Sequence, residues 1–346
     1  MTRGLRVLVT GCQGYVGSVL VPELTRRGHE VTGVDIGYFR TPEARQPEGG
    51  TRSVDIRDLE RADLAGVDAV IHLAAVSNDP MSHSHVEATR QINLEATVRL
   101  AQLSRTAGVN RFVFASTCSV YGASATSLEV DEQGLTDPLT PYAETKLLAE
   151  RQLVDLAEDD CFTPVVLRFA TAYGPSPMLR TDIVVNSLVA QGLSTGQVRL
   201  ESAGLAWRPL IHVRDMARTA IAVLEAPADQ VRGETFNAGP PGGNYQVIDI
   251  ARAVAAAIPG AEVSRPEGAQ VDNRTYRVGF AKLETHFPDL TAGMYRLEAG
   301  VKDTVAALTH DRLAHGDQWL TSRFVRLARL RELVDGGRLT ADLRMP

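Results

Sequence analysis

Tyr142 and Lys146 stand four residues apart, a spacing that puts both side chains on one face of a helix. An ammonium beside a phenol lowers the phenol's pKa toward the range where it serves as a base. The chain has 8 tyrosines, and its lysines are Lys146, Lys282 and Lys302. Composition alone would place some lysine four residues after a tyrosine with a chance of only about 0.07. The bland alternative is an exposed helix pair with no task. A second constellation stands near the start of the chain. Val7, Leu8 and Val9 form a short apolar run, Gly11, Gly14 and Gly17 follow, and Val19, Leu20 and Leu24 continue at helical spacing. Strand, glycine turn and helix in that order form the context in which a glycine pattern binds a dinucleotide. Gly11 permits a tight turn, Gly14 lets a pyrophosphate approach the backbone, and Gly17 lets helix and strand pack closely. Free N–H groups at the helix start would hold the phosphates. Pro22 falls inside this predicted helix and should bend it.

The elements that must position these residues alternate between strand and helix. His29–Asp35 reads as a second strand ending in an acid 18 residues after Gly17, close to the spacing of a carboxylate that binds the adenosine ribose. Asp35 would repel a 2′-phosphate, which favours NAD over NADP, although the nearby Arg40 is compatible with NADP. Val54–Asp58 reads as the end of a third strand, with Asp55 in reach of the adenine, and Asp68–Ala75 as a fourth strand ending in small residues. Residues 92–103 read as a helix, Arg111–Ser116 as a fifth strand, and 163–175 as a sixth strand with its loop. This alternation predicts an α/β fold built on a doubly wound parallel sheet. Ligands of such sheets bind at the carboxyl ends of the strands, where Gly11, Asp35, Ala75 and Ser116 would all fall.

Composition narrows the class. The 346 residues are 44% hydrophobic and 23% charged, as in an ordinary globular protein with room for a large core. A net charge of −6 argues against nucleic-acid binding. No apolar run reaches the ~18 residues of a membrane span. The chain opens directly on a strand, so no signal peptide is expected and the expected location is cytoplasmic. Cys12, Cys118 and Cys161 are too scattered for a disulfide framework, and His83 with His85 lacks further ligands, so no metal is expected.

Together these residues resemble the extended short-chain dehydrogenases/reductases, specifically the NAD-dependent nucleotide-sugar epimerases and dehydratases. The resemblance is carried by Gly11, Gly14 and Gly17, Asp35, His72-Leu73-Ala74-Ala75, Thr117 with Val120-Tyr121-Gly122, Tyr142 with Lys146, and Trp207–Asp215. It spans roughly residues 5–305. It implies a Rossmann-type NAD-binding domain from 1–175 and 204–240, a substrate-binding domain from 176–203 and 241–306, and a C-terminal helical extension over 307–346. Tyr142 carries over as the catalytic base, Lys146 as its pKa modulator and a ligand of the nicotinamide ribose, and Thr117 as a hydrogen-bond partner of the reacting sugar hydroxyl. The implied cofactor-lining set extends to Gln13, Tyr15, Val16, Ile56, Leu73, Ala74, Asn93, Ala115, Ser116 and Tyr173. For the substrate, Arg208 is the best pyrophosphate ligand, because arginine binds phosphate in a bidentate way. Arg274 and Arg277 are weaker candidates for the same role. Many relatives carry Asn where this chain has Thr171 or Ala172, so Asn186 is considered as a replacement amide. A homodimer is implied as well.

The expected activity is epimerisation of a nucleotide-linked sugar through transient oxidation at a ring carbinol. The rivals are a 4-ketoreductase of a deoxysugar nucleotide, a reductase of a small ketone, and a non-catalytic dinucleotide sensor, which would need no Tyr–Lys pair. Related dehydratases carry Asp and Glu after the Thr, whereas here Cys118 and Ser119 follow Thr117. Neither replaces a carboxylate in acid–base work near neutral pH, so dehydration is not expected. Arg323, Arg326, Arg329, Arg331 and Arg338 recur among apolar residues near the end of the chain. They read as a terminal helix packed on the domain, with a basic amphipathic surface helix as the alternative.

Overall fold

Val7, Leu8 and Val9 are fully buried in strand β1 (Arg6–Thr10), as a strand covered on both faces must be. The computed structural model describes residues 4–40, 50–122, 129–158, 161–265, 275–315, 321 and 323–346. The further strands are β2 (Glu30–Asp35), β3 (Thr51–Ser53), β4 (Ala69–His72), β5 (Arg111–Thr117), β6 (Thr163–Phe169), β7 (Thr171–Tyr173), β8 (Gln197–Arg199), β9 (Trp207–His212), β10 (Thr235–Ala238), β11 (Asn244–Gln246) and β12 (Glu262–Ser264). Seven of them form one parallel sheet in the order β10-β6-β5-β4-β1-β2-β3. Val9 of β1 lies opposite Gly33 of β2 on one side and Ile71 of β4 on the other. Strand order therefore reverses beside β1, which opens a crevice at the carboxyl ends of β1 and β4.

Two smaller sheets carry the rest. Strands β11, β9 and β7 form one, and β12 pairs with β8. Residues 207–212 thus leave the main sheet, while the helix Val213–Glu225 and β10 return to it. Strand β9 pairs with β11 on one side and β7 on the other. Among the described residues no helix is long and apolar enough to cross a membrane.

Local structure differs from expectation in three places. The helix Gly17–Arg26 continues across Pro22 as a single element. The third strand ends at Ser53, and Asp55 instead caps the short turn Ile56–Asp58 by accepting from the Arg57 backbone N–H. A short polar side chain at such a point bonds the backbone locally, which competes with a strand. The predicted helix over 92–103 begins with a wide turn at Gln91–Glu95 and runs on as Ala96–Thr106.

The helix that carries Tyr142 and Lys146 spans Pro141–Asp155. Thr140 caps it by accepting from the Ala143 N–H, and Pro141 sits in its first turn, where a missing N–H costs nothing. Its inner face bears Glu150, which is 3% exposed and paired with Arg168 of β6 at 2.8 Å. Ser116 of β5 donates to the same carboxylate. Arg168 also donates to the Tyr121 hydroxyl at 2.9 Å, which in turn donates to Asn237 of β10 at 2.7 Å. This network ties the helix to three strands. Losing one member of a buried ion pair strands the other charge. Arg168→Met should therefore lower stability by about 3–5 kcal/mol in urea unfolding. Adding Glu150→Leu should recover a large part of that loss. Equal stabilities for the single and double variants would show that the pair is not what holds the helix.

Candidate active site

The carboxyl ends of β1, β2, β4, β5 and β6 open into a cleft of about 740 Å³. Its floor is the glycine turn. Gly11 has φ +73°, and a Cβ there would lie 2.7 Å from the Ala74 nitrogen. A Cβ on Gly17 would strike the Gly11 carbonyl. Only glycine allows this approach, which leaves the backbone bare where a phosphate would rest. Asp35 points into the same region. One carboxylate oxygen accepts from the Gln13 N–H at 2.9 Å and the other from the Gly37 N–H at 2.8 Å. A carboxylate offers about four lone-pair sites, so two remain for ribose hydroxyls. Burial pushes the Asp35 carboxyl above its usual range, opposed by these backbone bonds. The residues present thus fit a dinucleotide.

Most of the expected residues line this one cleft. They are Gly11, Gly14, Tyr15, Val16, Gly17, Asp35, Asp55, Ile56, Leu73, Ala74, Ala75, Ala115, Ser116, Thr117, Tyr142, Lys146 and Arg208. Several carry a second engagement. The Tyr15 hydroxyl donates to the Gly174 carbonyl at 2.6 Å, and the Asp55 carboxylate is paired with Arg57 at 2.6 Å. Arg208 donates to the Trp207 carbonyl at 2.8 Å. Gln13 reaches Asp35 through its backbone and does not line the cleft.

Three expected contacts are corrected. Asn186 is fully buried, and its amide is spent on the fold. It accepts from the Gly174 N–H at 3.0 Å and donates to the Arg180 carbonyl at 2.9 Å. No donor is left to bind a sugar phosphate. Asn93 is also fully buried and clamps both backbone groups of Val76, at 2.8 and 3.0 Å. It shapes the loop after β4 and does not line the cleft. Tyr173 turns away from the cleft and packs edge-on against His212, with ring centres 5.2 Å apart. Arg274 lies outside the described residues. Arg277 pairs with Glu129 at 2.8 Å and does not line the cleft.

Tyr142 and Thr117 line the same cleft, and the Thr117 hydroxyl lies close enough to act on the phenol. Thr117 also accepts from the Ser119 N–H at 3.1 Å, which fixes the turn after β5. Burial pushes the Tyr142 phenol up to about 12, with the Thr117 hydroxyl opposing and the Asp79 carboxylate adding to the rise. The lowering expected from Lys146 is not among the causes of this shift. Its ammonium instead donates to the Ala115 carbonyl at 2.8 Å and sits 4.5 Å from the Phe114 ring centre. Burial lowers Lys146 to about 7, with Glu150 opposing.

Four cleft residues escaped the sequence reading. Arg180 is buried and paired with Asp182 at 2.8 Å. Asp79, the first residue of the short helix Asp79–Ser84, accepts from the Thr140 hydroxyl at 2.8 Å. Tyr276 is buried and lines the cleft beside Ser119. Their only sequence signal is residue type, because each reaches the cleft by long-range folding. The fourth, Arg326, lay in view but was assigned to a packed terminal helix.

The depressed Lys146 makes stability depend on pH. Between about 7 and its ordinary 10.5, the native lysine has lost a proton that the unfolded chain still holds. Stability from this group is therefore full above the unfolded value and lost as pH falls toward 7. Going from pH 7 to pH 9, the wild type should gain about 1–3 kcal/mol relative to Lys146→Met in denaturant unfolding. A parallel response of the two proteins would show that the lysine keeps its ordinary pKa.

Comparison with known proteins accords with this geometry. The model of the NAD dependent epimerase/dehydratase family matches residues 7–239. An uncharacterized UDP-glucose epimerase of Bacillus subtilis (strain 168), YtcB, is 34% identical over 252 residues, covering 68% of this chain and 77% of the relative. UDP-glucose 4-epimerase of Mus musculus is 30% identical over 301 residues, covering 76% and 86%. Among solved structures, MoeE5 in complex with UDP-glucuronic acid and NAD superposes with a TM-score of 0.75 at 28% identity, covering 88% of this chain and 99% of that one. With its parallel sheet, glycine turn and Tyr–Lys helix, the chain belongs to the NAD-dependent epimerase/dehydratase family of extended short-chain dehydrogenases/reductases.

Proposed function

We propose that this protein is an NAD-dependent epimerase of a nucleotide-diphosphate sugar. The observation that carries the reading is the Tyr142–Thr117 hydroxyl pair in the cleft, followed by a turn that bears no carboxylate. Bound NAD supplies the reversible two-electron oxidation of a ring carbinol. Tyr142 takes the hydroxyl proton and later returns it, and Thr117 holds the same sugar oxygen in place. Lys146 would move from the Ala115 carbonyl to the nicotinamide ribose and bring its charge to the phenol. The Gly11–Gly17 turn and Asp35 hold the adenosine half of the cofactor. Arg208 holds the substrate diphosphate.

The turn after Thr117 supports this choice. Cys118 is buried and donates through Sγ to the Arg168 carbonyl at 3.1 Å. Burial pushes its thiol far above the range useful for proton transfer. Ser119 carries only a hydroxyl, which is no acid or base near neutral pH. Eliminating water needs a proton removed next to the carbonyl and another given to the leaving hydroxyl, and neither residue meets that need. The nucleotide sugars named for the relatives, UDP-glucose above all, set the first substrates to try. A cytoplasmic location, a homodimer, and an NAD-binding unit joined to a smaller substrate unit near β9 complete the proposal.

Incubation with a panel of nucleotide sugars, followed by mass and chromatography, tests the reaction. The expected product is an isomer of unchanged mass, with no net NADH formed. Tyr142→Phe should abolish turnover and still bind NAD. Loss of about 18 mass units would overturn the reading and direct attention to Asp79, the carboxylate near the phenol. Gain of about two mass units from a keto-sugar, with reduced cofactor consumed, would make the protein a ketoreductase.

Cofactor choice gives a second test. NAD should bind more tightly than NADP, because Asp35 repels a 2′-phosphate. Asp35→Asn removes the charge and keeps one acceptor for the backbone. The gap should narrow by about 1–2 kcal/mol, the size of one charge repulsion at a half-screened site. Titration of both cofactors reads it, and tighter NADP binding by the wild type would refute the assignment.

A further inference from the structure

The C-terminal segment crosses the cofactor half of the cleft. Its helix, Arg326–Asp335, buries Leu330 and Leu333 in the core beneath that half. The chain then reverses where the N–H groups of Arg338 and Leu339 both donate to the Leu333 carbonyl. Residues 339–344 run back across the loops that follow β2 and β3. Tyr38 and Arg57 both donate to the Leu343 carbonyl, Arg57 donates to the Asp342 carbonyl at 2.8 Å, and Arg344 pairs with Asp58 at 2.9 Å. Leu343 holds φ +55°, the one non-glycine residue among those described with a positive φ. Such a conformation persists only where surrounding contacts over-determine it.

Arg326, Leu330 and Leu343 line the cleft itself. Arg326 is 3% exposed. Its guanidinium donates to the Met178 carbonyl at 2.9 Å and lies 4.4 Å from the Phe39 ring centre. Among the described residues no carboxylate stands within ion-pair distance of it. Arg180, whose charge acts on Arg326, is already paired with Asp182, and that carboxylate also accepts from Asn78 at 2.9 Å. Asp182 and Asp35 both act on Arg326, yet its guanidinium pairs with neither, a costly arrangement that a bound anion would relieve. The charge of Arg326 acts on both Tyr15, in the glycine turn, and Asp35, at the ribose end. Arg326 lines the same cleft as Gly11, Gly14, Gly17 and Asp35, and in such folds the dinucleotide's diphosphate rests at the glycine turn. Burial and Arg180 push Arg326 down to about 9, and a neighbouring dianion would restore it.

We propose that Arg326 is a ligand of the diphosphate of bound NAD, and that through it the C-terminal segment clasps the cofactor in the cleft. The proposal rests on the family's use of NAD and not on the sugar or on the reaction.

Calorimetric titration of the full-length protein and of Arg326→Gln with NAD, adenosine diphosphoribose, adenosine and UDP tests it. NAD and adenosine diphosphoribose should weaken together by about tenfold or more, the effect of one lost charged hydrogen bond. Adenosine and UDP should bind as before, and Arg326→Lys should recover part of the loss. In the wild type, NAD should also slow tryptic cleavage within residues 329–344, whereas adenosine should not. Unchanged NAD affinity would overturn the proposal, and so would an equal loss for adenosine, which signals lost packing. A larger loss for NADP than for NAD would overturn it in favour of a 2′-phosphate contact. If Arg326→Gln does not fold, the wild-type digestion decides, and cleavage unaffected by NAD refutes the clasp.

Discussion

Everything catalytic in this molecule depends on a polar helix face packed against a parallel sheet. The helix Pro141–Asp155 turns Lys146 and Glu150 inward, where a hydrophobic stripe would be ordinary. Such a face is stable only if each buried charge finds a partner. Glu150 finds Arg168 and Ser116, and Lys146 finds the Ala115 carbonyl and the Phe114 ring. Both sets of partners come from β5 and β6, so the register of those strands fixes where the helix sits. Tyr142 follows from that placement. It shares the cleft with Thr117 because Thr117 ends the strand that holds Ala115 and Ser116.

The cleft also carries charge of both signs. Asp35 supplies negative charge where neutral ribose hydroxyls would bind. Arg180, Arg326 and Arg208 supply positive charge to the lining of the same cleft. In a chain with a net charge of −6, the lining of this cleft carries cations at Lys146, Arg180, Arg199, Arg208 and Arg326 beside carboxylates at Asp35, Asp55, Asp79, Asp182 and Glu201. The interior strengthens each such contact, because it screens charge less than water does. Asp79 and Arg180 act on the Tyr142 phenol in opposite directions. The proton on that phenol is therefore held by a balance that a bound ligand can tip.

Local signals made much of this legible in the sequence. Gly11, Gly14 and Gly17 announce a backbone that only glycine can form, and Asp35 follows from strand length and spacing. Tyr142 and Lys146 are read from helical periodicity. The errors share another cause. Asn93, Asn186 and Tyr173 carry groups that could bind a ligand, yet the fold spends the two amides on Val76, Gly174 and Arg180 and packs the phenol ring against His212. Residue type gives the capacity to hydrogen-bond, and only tertiary structure shows whether that capacity is already used. Asp55 lines the cleft as expected, but its carboxylate is already engaged, since it caps a turn and binds Arg57 two residues on. The terminal helix was expected to pack on the domain, and it does. Which face meets the cleft is set by the return of residues 339–344 across Tyr38 and Arg57, a contact between the two ends of the chain that no local pattern encodes.

The position of that terminal segment bears on the reaction. A net reductase must release its oxidised dinucleotide after each turnover and admit a reduced one. An epimerase regenerates its cofactor in place and has no need to exchange it. The segment from Arg326 to Arg344 is held across the adenosine end by Tyr38, Arg57 and Asp58, with Leu343 in a conformation that isolated chains avoid. Opening it would break several of these contacts at once, so exchange in every cycle would be slow. For a cofactor that stays, the same contacts cost turnover nothing and guard against loss. The architecture at the far end of the cleft thus favours the same reaction class as the carboxylate-free turn beside Tyr142. The two arguments are independent, since one concerns proton transfer at the sugar and the other the residence of the dinucleotide.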